Sequence, residues 1–248
     1  MEKVSIITPS YNCGSYISDT IESVLAQTHT NWEMVIVDDC STDDTCEVVA
    51  EYAAADSRII YHKLEQNSGA AVARTKAMEL ADGDFMAFLD SDDLWTPEKL
   101  ELQLKFMRDN GYSMTATAYR KINENGDDMM KTITPPLTTD YNRLLLDCPV
   151  GNSTIMYSVR NMGKFSVPNI LKRNDDALWL KMLKTEKYIY GMPDVMMSYR
   201  VRSNSISSNR LALVKYHWIL YRDIERLSVV RSVYLICRWG FVKILGLK

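Results

Sequence analysis

Residues Phe85 to Leu94 read Phe-Met-Ala-Phe-Leu-Asp-Ser-Asp-Asp-Leu, an apolar run followed at once by carboxylates at Asp90, Asp92 and Asp93. Acids packed this closely repel one another unless a positive partner holds them. Hard cations such as Mg2+ and Mn2+ prefer oxygen ligands and commonly join one or two carboxylates to substrate phosphates. The same acids can instead form a solvated turn ahead of a helix after Pro97. A second apolar run, Met34-Val35-Ile36-Val37, also ends in acids, Asp38 and Asp39. Ser41, Thr42 and Asp43 behind them are N-cap candidates for a helix from about Thr45. A third acidic pair, Asp175-Asp176, opens a segment with Leu178, Trp179, Met182 and Leu183 at helical spacing. Acids in a first helical turn suit the helix dipole, and one that reaches a substrate hydroxyl can also act as a general base.

The elements that must position these acids can be read in order. Val4-Ser5-Ile6-Ile7 is a strand that breaks at Thr8-Pro9-Ser10-Tyr11-Asn12, and Ile17, Ile21, Val24 and Leu25 predict a crossover helix over 17–27. Ile59-Ile60-Tyr61 is a short strand, Asn67-Ser68-Gly69 leads into a helix over roughly 70–80, and Asp82-Gly83-Asp84 turns into the strand that carries the acids. Asp140 to Leu146 reads as a short helix, and Cys148 to Ser153 leads into a strand over Thr154 to Tyr157. Alternating strands and helices predict an α/β fold with a doubly wound, mostly parallel sheet. In such sheets ligands bind beyond the carboxyl ends of the strands, where all the early acids lie.

These motifs resemble the family 2 inverting glycosyltransferases with the GT-A (Rossmann-like) fold. The resemblance runs from Val4 to about Ser207. It is carried by Thr8-Pro9-Ser10-Tyr11-Asn12, by Asp38 to Asp43, by Asn67-Ser68-Gly69 with Arg74, by Leu89-Asp90-Ser91-Asp92-Asp93, and by Asp175-Asp176. It implies a GT-A domain over 1–208, with a nucleotide-sugar-binding half over 1–110 and an acceptor half over 111–208. A helical extension over 209–248 would follow. The implied reaction is a single displacement that moves a hexosyl or N-acetylhexosaminyl group from a UDP-sugar to a hydroxyl, inverting the anomeric centre.

Residue roles follow from the same resemblance. Asp92 is expected to bind the metal, Mn2+ or Mg2+, with Asp90 and Asp93 as further candidates. Asp176 is the expected base. Asp175, Trp179 and Asn152 are expected on the acceptor side. Donor recognition falls to Thr8, Pro9, Tyr11 (stacked on uracil), Asp39 (accepting the uracil N3 proton), Arg74 near the phosphates or the acidic loop, Asp90 and Ser91. Arg200 and Arg202 begin a segment, continued by Ser203 to Ser208, expected to close over the diphosphate. Many relatives have His where this chain has Arg202. A guanidinium does not ligate metals but can fork onto phosphate oxygens.

The net charge of −3 conceals an asymmetry: residues 199–248 hold ten Lys and Arg against Asp223 and Glu225, leaving the body strongly acidic. The tail places Leu211, Val214, Trp218 and Tyr221 on one helical face, and then Val229, Val233, Ile236, Gly240 and Ile244 on another. No stretch reaches the roughly 18 uncharged apolar residues of a spanning helix. A basic, aromatic-bearing helix suits an anionic bilayer surface, with packing on the body as the alternative. The acidic body disfavours nucleic acid as a partner. The five unclustered cysteines and the absence of a leader pattern predict reduced thiols in a cytoplasmic setting. The expected location is the inner face of the membrane, as in bacterial enzymes that extend polyprenyl-diphosphate-linked O-antigen or capsule glycans. Two other classes fit less of the chain. A phosphoacceptor domain would be much shorter, and a catalytically silent sugar-nucleotide-binding protein would have no use for both Asp92 and Asp176.

Overall fold

A computed structural model describes residues 2–202 and 210–244. Its centre is one ten-stranded sheet with strand order β3-β2-β1-β4-β9-β6-β10-β5, in which β7 also pairs with β6 and β8 with β10. The strands are β1 (Val4–Ser10), β2 (Trp32–Asp38), β3 (Ile59–Lys63), β4 (Phe85–Phe88), β5 (Leu94–Trp95), β6 (Met114–Ile122), β7 (Asp128–Ile133), β8 (Thr138–Thr139), β9 (Ile155–Ser158) and β10 (Ile189–Arg200). β1 to β4 are mutually parallel, β9 reverses, and β6 and β10 return to the first direction. The long strands therefore mostly run one way.

The helices are α1 (Gly14–Leu25), α2 (Thr45–Ala55), α3 (Ala70–Leu80), α4 (Lys99–Asn110), α5 (Tyr141–Leu146), α6 (Val159–Met162), α7 (Asn174–Met182), α8 (Arg210–Ile219) and α9 (Val229–Ile244). A π-helical turn, Leu220–Ile224, continues α8. Side chains alternate across each strand, so the sheet feeds two cores. Ile7, Val35, Val37, Met86 and Phe88 face α3, α5, α7 and the C-terminal helices. Ile6, Met34, Ile36, Ala87 and Leu89 face α1, α2 and α4. This is the doubly wound arrangement read from the sequence, with the parallel strands buried on both sides. All five cysteines are free.

The sequence reading passed over β6, β7 and β10. Of the two places expected for the tail, a bilayer surface or the body of the protein, its described part shows packing on the body along one side. Leu220, Tyr221 and Leu235 are buried in the same core as Leu144, Leu145 and Trp179. On α9 the packing face is Ser232, Leu235, Ile236 and Trp239, at i, i+3, i+4 and i+7. Of the apolar face read from the sequence, Val229 and Val233 point outward, together with Val230, Tyr234 and Phe241, while Ile236 packs inward. Among the described residues no helix is long and apolar enough to cross a membrane.

Candidate active site

β1, β2 and β4 end side by side, so their polar termini meet at one edge of the sheet. The two loops that follow β1 and β2 clasp each other. Asn12 N–H donates to Ser41 Oγ (2.9 Å), Cys13 N–H to Thr45 Oγ1 (2.9 Å), and Gly14 N–H to Asp43 Oδ2 (3.0 Å). Asp43, expected as a helix cap, thus ties α1 to α2, and the N-cap position belongs to Asp44. Asn12 and Cys40 hold left-handed φ values of 46° and 65°, and Arg173, before α7, has 66°. Such backbone is costly for non-glycine residues and clusters at functional sites.

The result is a cleft of about 350 Å3 whose walls include Pro9, Tyr11, Asp39, Arg74, Asp90, Ser91, Asp92, Arg173, Asp175 and Arg200. Most of the expected donor residues are therefore brought together. Tyr11, 46% exposed, stands at the mouth with its ring available for stacking. Asp39 accepts N–H bonds from Ser68 (2.6 Å) and Gly69 (2.8 Å), which fix its carboxylate and leave a lone pair on each oxygen. Asp38 is spent on structure, accepting from Ser41 and Cys46 beneath the loop.

Past β4 the three acids of one loop have three environments. Asp90 Oδ1 accepts from Arg74 Nη2 (2.9 Å) and Asn152 Nδ2 (2.8 Å). Arg74, itself bonded to Asn174, therefore serves the acidic loop, the second of its two expected places. Burial pushes the Asp90 carboxyl up; Arg74 opposes this, while Asp92 and Asp175 add to it. Asp92 pairs with Arg202 at 3.1 Å, and that guanidinium lies 4.8 Å above the Tyr16 ring. Asp93 is buried away from the cleft. It accepts from Ser153 Oγ (2.6 Å) and Arg200 N–H (3.0 Å), and burial, then Asp92 and Asp90, push its carboxyl well up. It braces the loop and does not reach a cleft ligand.

Four further expectations need correction. Thr8 is fully buried within β1, opposite Ile36, because its side chain points into the sheet's flank and not to the strand end. Trp179 is fully buried and packs edge-on against Phe88 at 4.8 Å, so its indole belongs to the core behind the site. Arg200 lines the cleft, but its guanidinium is committed to the Asp92 and Glu124 carbonyls and to Asp19 Oδ2, which makes it a strut for the loop in this state. Asn152 touches Asp90, so it orients the acidic loop. The Ser203 to Ser208 segment lies outside the described residues.

The acidic pair on α7 splits. Asp175 lines the cleft beside Asp90 and Asp92. Asp176 is buried, ion-paired with Arg173, and close to Cys148. Burial raises its carboxyl to about 6, with Arg173 opposing and Asp175 reinforcing. Arg173 and Cys148 were missed by the sequence reading, and no motif marks Cys148. The Arg173-Asn174-Asp175-Asp176 run does place a cation beside the acids. A metal can be tested against this donor set. Among the described residues no three His, Cys, Asp or Glu side chains converge into a cage. Asp92 and Asp90 on one loop instead fit a hard cation held by one or two carboxylates and completed by substrate phosphates.

Comparison with known proteins bears on what this cleft does. The model of Glycosyl transferase family 2 matches residues 5–167, which span β1 to the loop after α6. A Bacillus subtilis (strain 168) protein bearing the name teichuronic acid biosynthesis glycosyltransferase TuaG is 45% identical over 240 residues, 97% of this chain and 93% of its own. The Escherichia coli UDP-Glc:alpha-D-GlcNAc-diphosphoundecaprenol beta-1,3-glucosyltransferase WfgD is 38% identical over 234 residues, 94% and 90% of the two chains. The fold matches S. aureus TarS 1–349 in complex with UDP-GlcNAc, with a TM-score of 0.70, 20% identity, and coverage of 95% of this chain and 70% of that one. With its acids gathered at the strand ends of a GT-A sheet, the chain belongs to glycosyl transferase family 2.

Proposed function

We propose that the chain moves a hexosyl or N-acetylhexosaminyl group from a UDP-sugar to a hydroxyl of a lipid-linked glycan, in one inverting displacement. The observation that carries this reading is the cleft, where Tyr11 and Asp39 at one end meet Asp90, Asp92 and Asp175 at the other. Tyr11 would stack on the uracil, and Asp39 would accept its N3 proton. The name of WfgD couples a UDP-sugar donor to a diphosphoundecaprenol-linked sugar, and TarS has been crystallised with UDP-GlcNAc. A divalent cation held by Asp92, with Asp90 beside it, would neutralise charge building on the departing diphosphate. Arg202, now on Asp92, would fork onto donor phosphate oxygens when that carboxylate is engaged. A protein similar in fold, the mannosyltransferase PcManGT from Pyrobaculum calidifontis, was solved in complex with GDP-Man and Mn2+.

The position of the acidic pair favours Asp175 as the base. A general base must reach the proton it takes. Asp175 is on the cleft surface, whereas Asp176 gives its carboxylate to Arg173. Asp176 then acts by fixing Arg173 and the start of α7. The outward stripe of α9, with Val230, Tyr234 and Phe241 flanked by Arg231 and Arg238, would rest on the inner membrane face and bring the cleft to its acceptor.

The test is transfer from radiolabelled UDP-glucose and UDP-GlcNAc to a short-chain GlcNAc-diphospho-lipid, with the anomeric configuration of the product read by NMR. Asp175→Asn should lower kcat by about 100- to 10,000-fold with UDP affinity retained, the usual worth of a general base. Asp176→Asn should lose less. The reverse order would move the base to Asp176, and UDP binding without any transfer or donor hydrolysis would leave only a sugar-nucleotide-binding protein.

A further inference from the structure

A second cavity of about 520 Å3 adjoins the cleft across Arg173, which lines both. Its walls come from β6, β7, α5 with the loop behind it, and the C-terminal helices. Four cations line it, Lys121 on β6, Lys131 on β7, Arg143 on α5 and Arg173, the last paired with the buried Asp176, against one lining carboxylate, Asp147. Lys131 and Arg143 are exposed, and neither has an ion-pair partner among the described residues. Like charges gathered around a concavity raise its potential and attract a compact polyanion, which several donors can then hold at once. The rim adds an apolar component: Trp239 of α9 lines the cavity, and the outer side of the same helix exposes Val230, Tyr234 and Phe241.

We propose that this cavity seats the diphosphate of a prenyl-diphosphate-linked acceptor. This rests on the glycosyltransferase reading of the neighbouring cleft. The acceptor sugar then extends past Arg173, which lines both spaces, and its hydroxyl meets Asp175. The prenyl chain leaves along α9 toward its exposed apolar side. One sugar unit separates diphosphate from reacting hydroxyl in such an acceptor, and one residue, Arg173, separates cavity from cleft. The cavity is thus a selectivity device: it favours acceptors whose reacting sugar sits directly on the diphosphate.

Binding of farnesyl diphosphate, farnesol and inorganic pyrophosphate to the full chain, with the donor cleft saturated by UDP, tests this by calorimetry and by quenching of Trp239 fluorescence. Farnesyl diphosphate should bind with UDP present, and farnesol should not. Lys131→Glu and Arg143→Glu should each weaken farnesyl diphosphate by about tenfold, the worth of one charge-assisted contact. UDP affinity, measured on the same variants, reports that they are folded. Undiminished farnesyl diphosphate binding in the double variant would overturn the proposal, as would its displacement by UDP. Pyrophosphate binding as tightly as farnesyl diphosphate would overturn the assignment to a lipid-linked ligand. Failure of UDP to bind the wild-type chain counts against the donor cleft, whereas the farnesyl diphosphate isotherm alone decides the cavity.

Discussion

Asp176 and Asp175 are neighbours in sequence, yet they differ in what they face, because adjacent positions on a helix diverge by about 100°. That explains a limit of the sequence. The acid pair was legible as a candidate, but which member meets the cleft was not, since it depends on the rotation of α7 against Arg173. The same holds at the acidic loop, where Asp90, Asp92 and Asp93 were all recognised but only the folded loop sends Asp93 inward to Ser153 and Arg200. Burial of Asp176 has a consequence for stability. A carboxyl whose folded value of about 6 lies above its ordinary 3.8 favours the folded state while protonated. That contribution is present at acid pH and is lost as pH rises through 6. Between pH 5 and pH 7 the wild type should therefore lose on the order of 1 kcal/mol relative to Asp176→Asn. Urea unfolding of both proteins at the two pH values measures it, and parallel pH profiles would show that Asp176 is not desolvated.

At the scale of elements, the early strands were readable because short apolar runs end in polar or acidic residues and are bounded by turn residues. The later strands hide for a physical reason. β10 contains Gly191 and Pro193 and changes register twice against β6, so neither an apolar run nor a period of two survives in its sequence. β6 is threonine-rich and buried, and its pairing with β9 and β10 is fixed only in the sheet. Gly191 marks where β10 meets the chain before β8: a Cβ there would overlap the Pro136 carbonyl oxygen and lie 3.2 Å from that of Pro135. Both neighbours are backbone and cannot rotate away. Gly191→Ala should therefore cost about 1–3 kcal/mol, the usual penalty of overpacking. A shift in the urea midpoint at constant slope would register it, and an unchanged midpoint would mean that the β8 connection yields freely.

For the whole molecule, the basic tail proves to be two-sided. One side of α9 completes the core against α5, and the other exposes Val230, Tyr234 and Phe241 beside Arg231 and Arg238. A single hydrophobic period cannot report a helix that is apolar on opposite faces, which is why one apolar run in the sequence mixes the inward Ile236 with the outward Val229 and Val233. Deleting residues 209–248 would strip Leu220, Tyr221 and Leu235 from the core and so confound membrane binding with unfolding. Val230→Asp with Phe241→Asp separates the two. Each apolar side chain of this size contributes about 1.5–3 kcal/mol when buried, so co-sedimentation with anionic vesicles should fall by at least about tenfold while thermal stability holds. Unchanged sedimentation would remove the bilayer from the proposed function. The claim on which the rest depends is that the strand-end acids and Tyr11 share one donor site. The most direct measurement is a crystal structure with UDP and Mn2+ in which the manganese is located by its anomalous scattering. The expected map has the metal peak against the Asp92 carboxylate, with the diphosphate beside it and the uracil on Tyr11. A manganese peak remote from Asp92, or UDP seated in the basic cavity beyond Arg173, would contradict it.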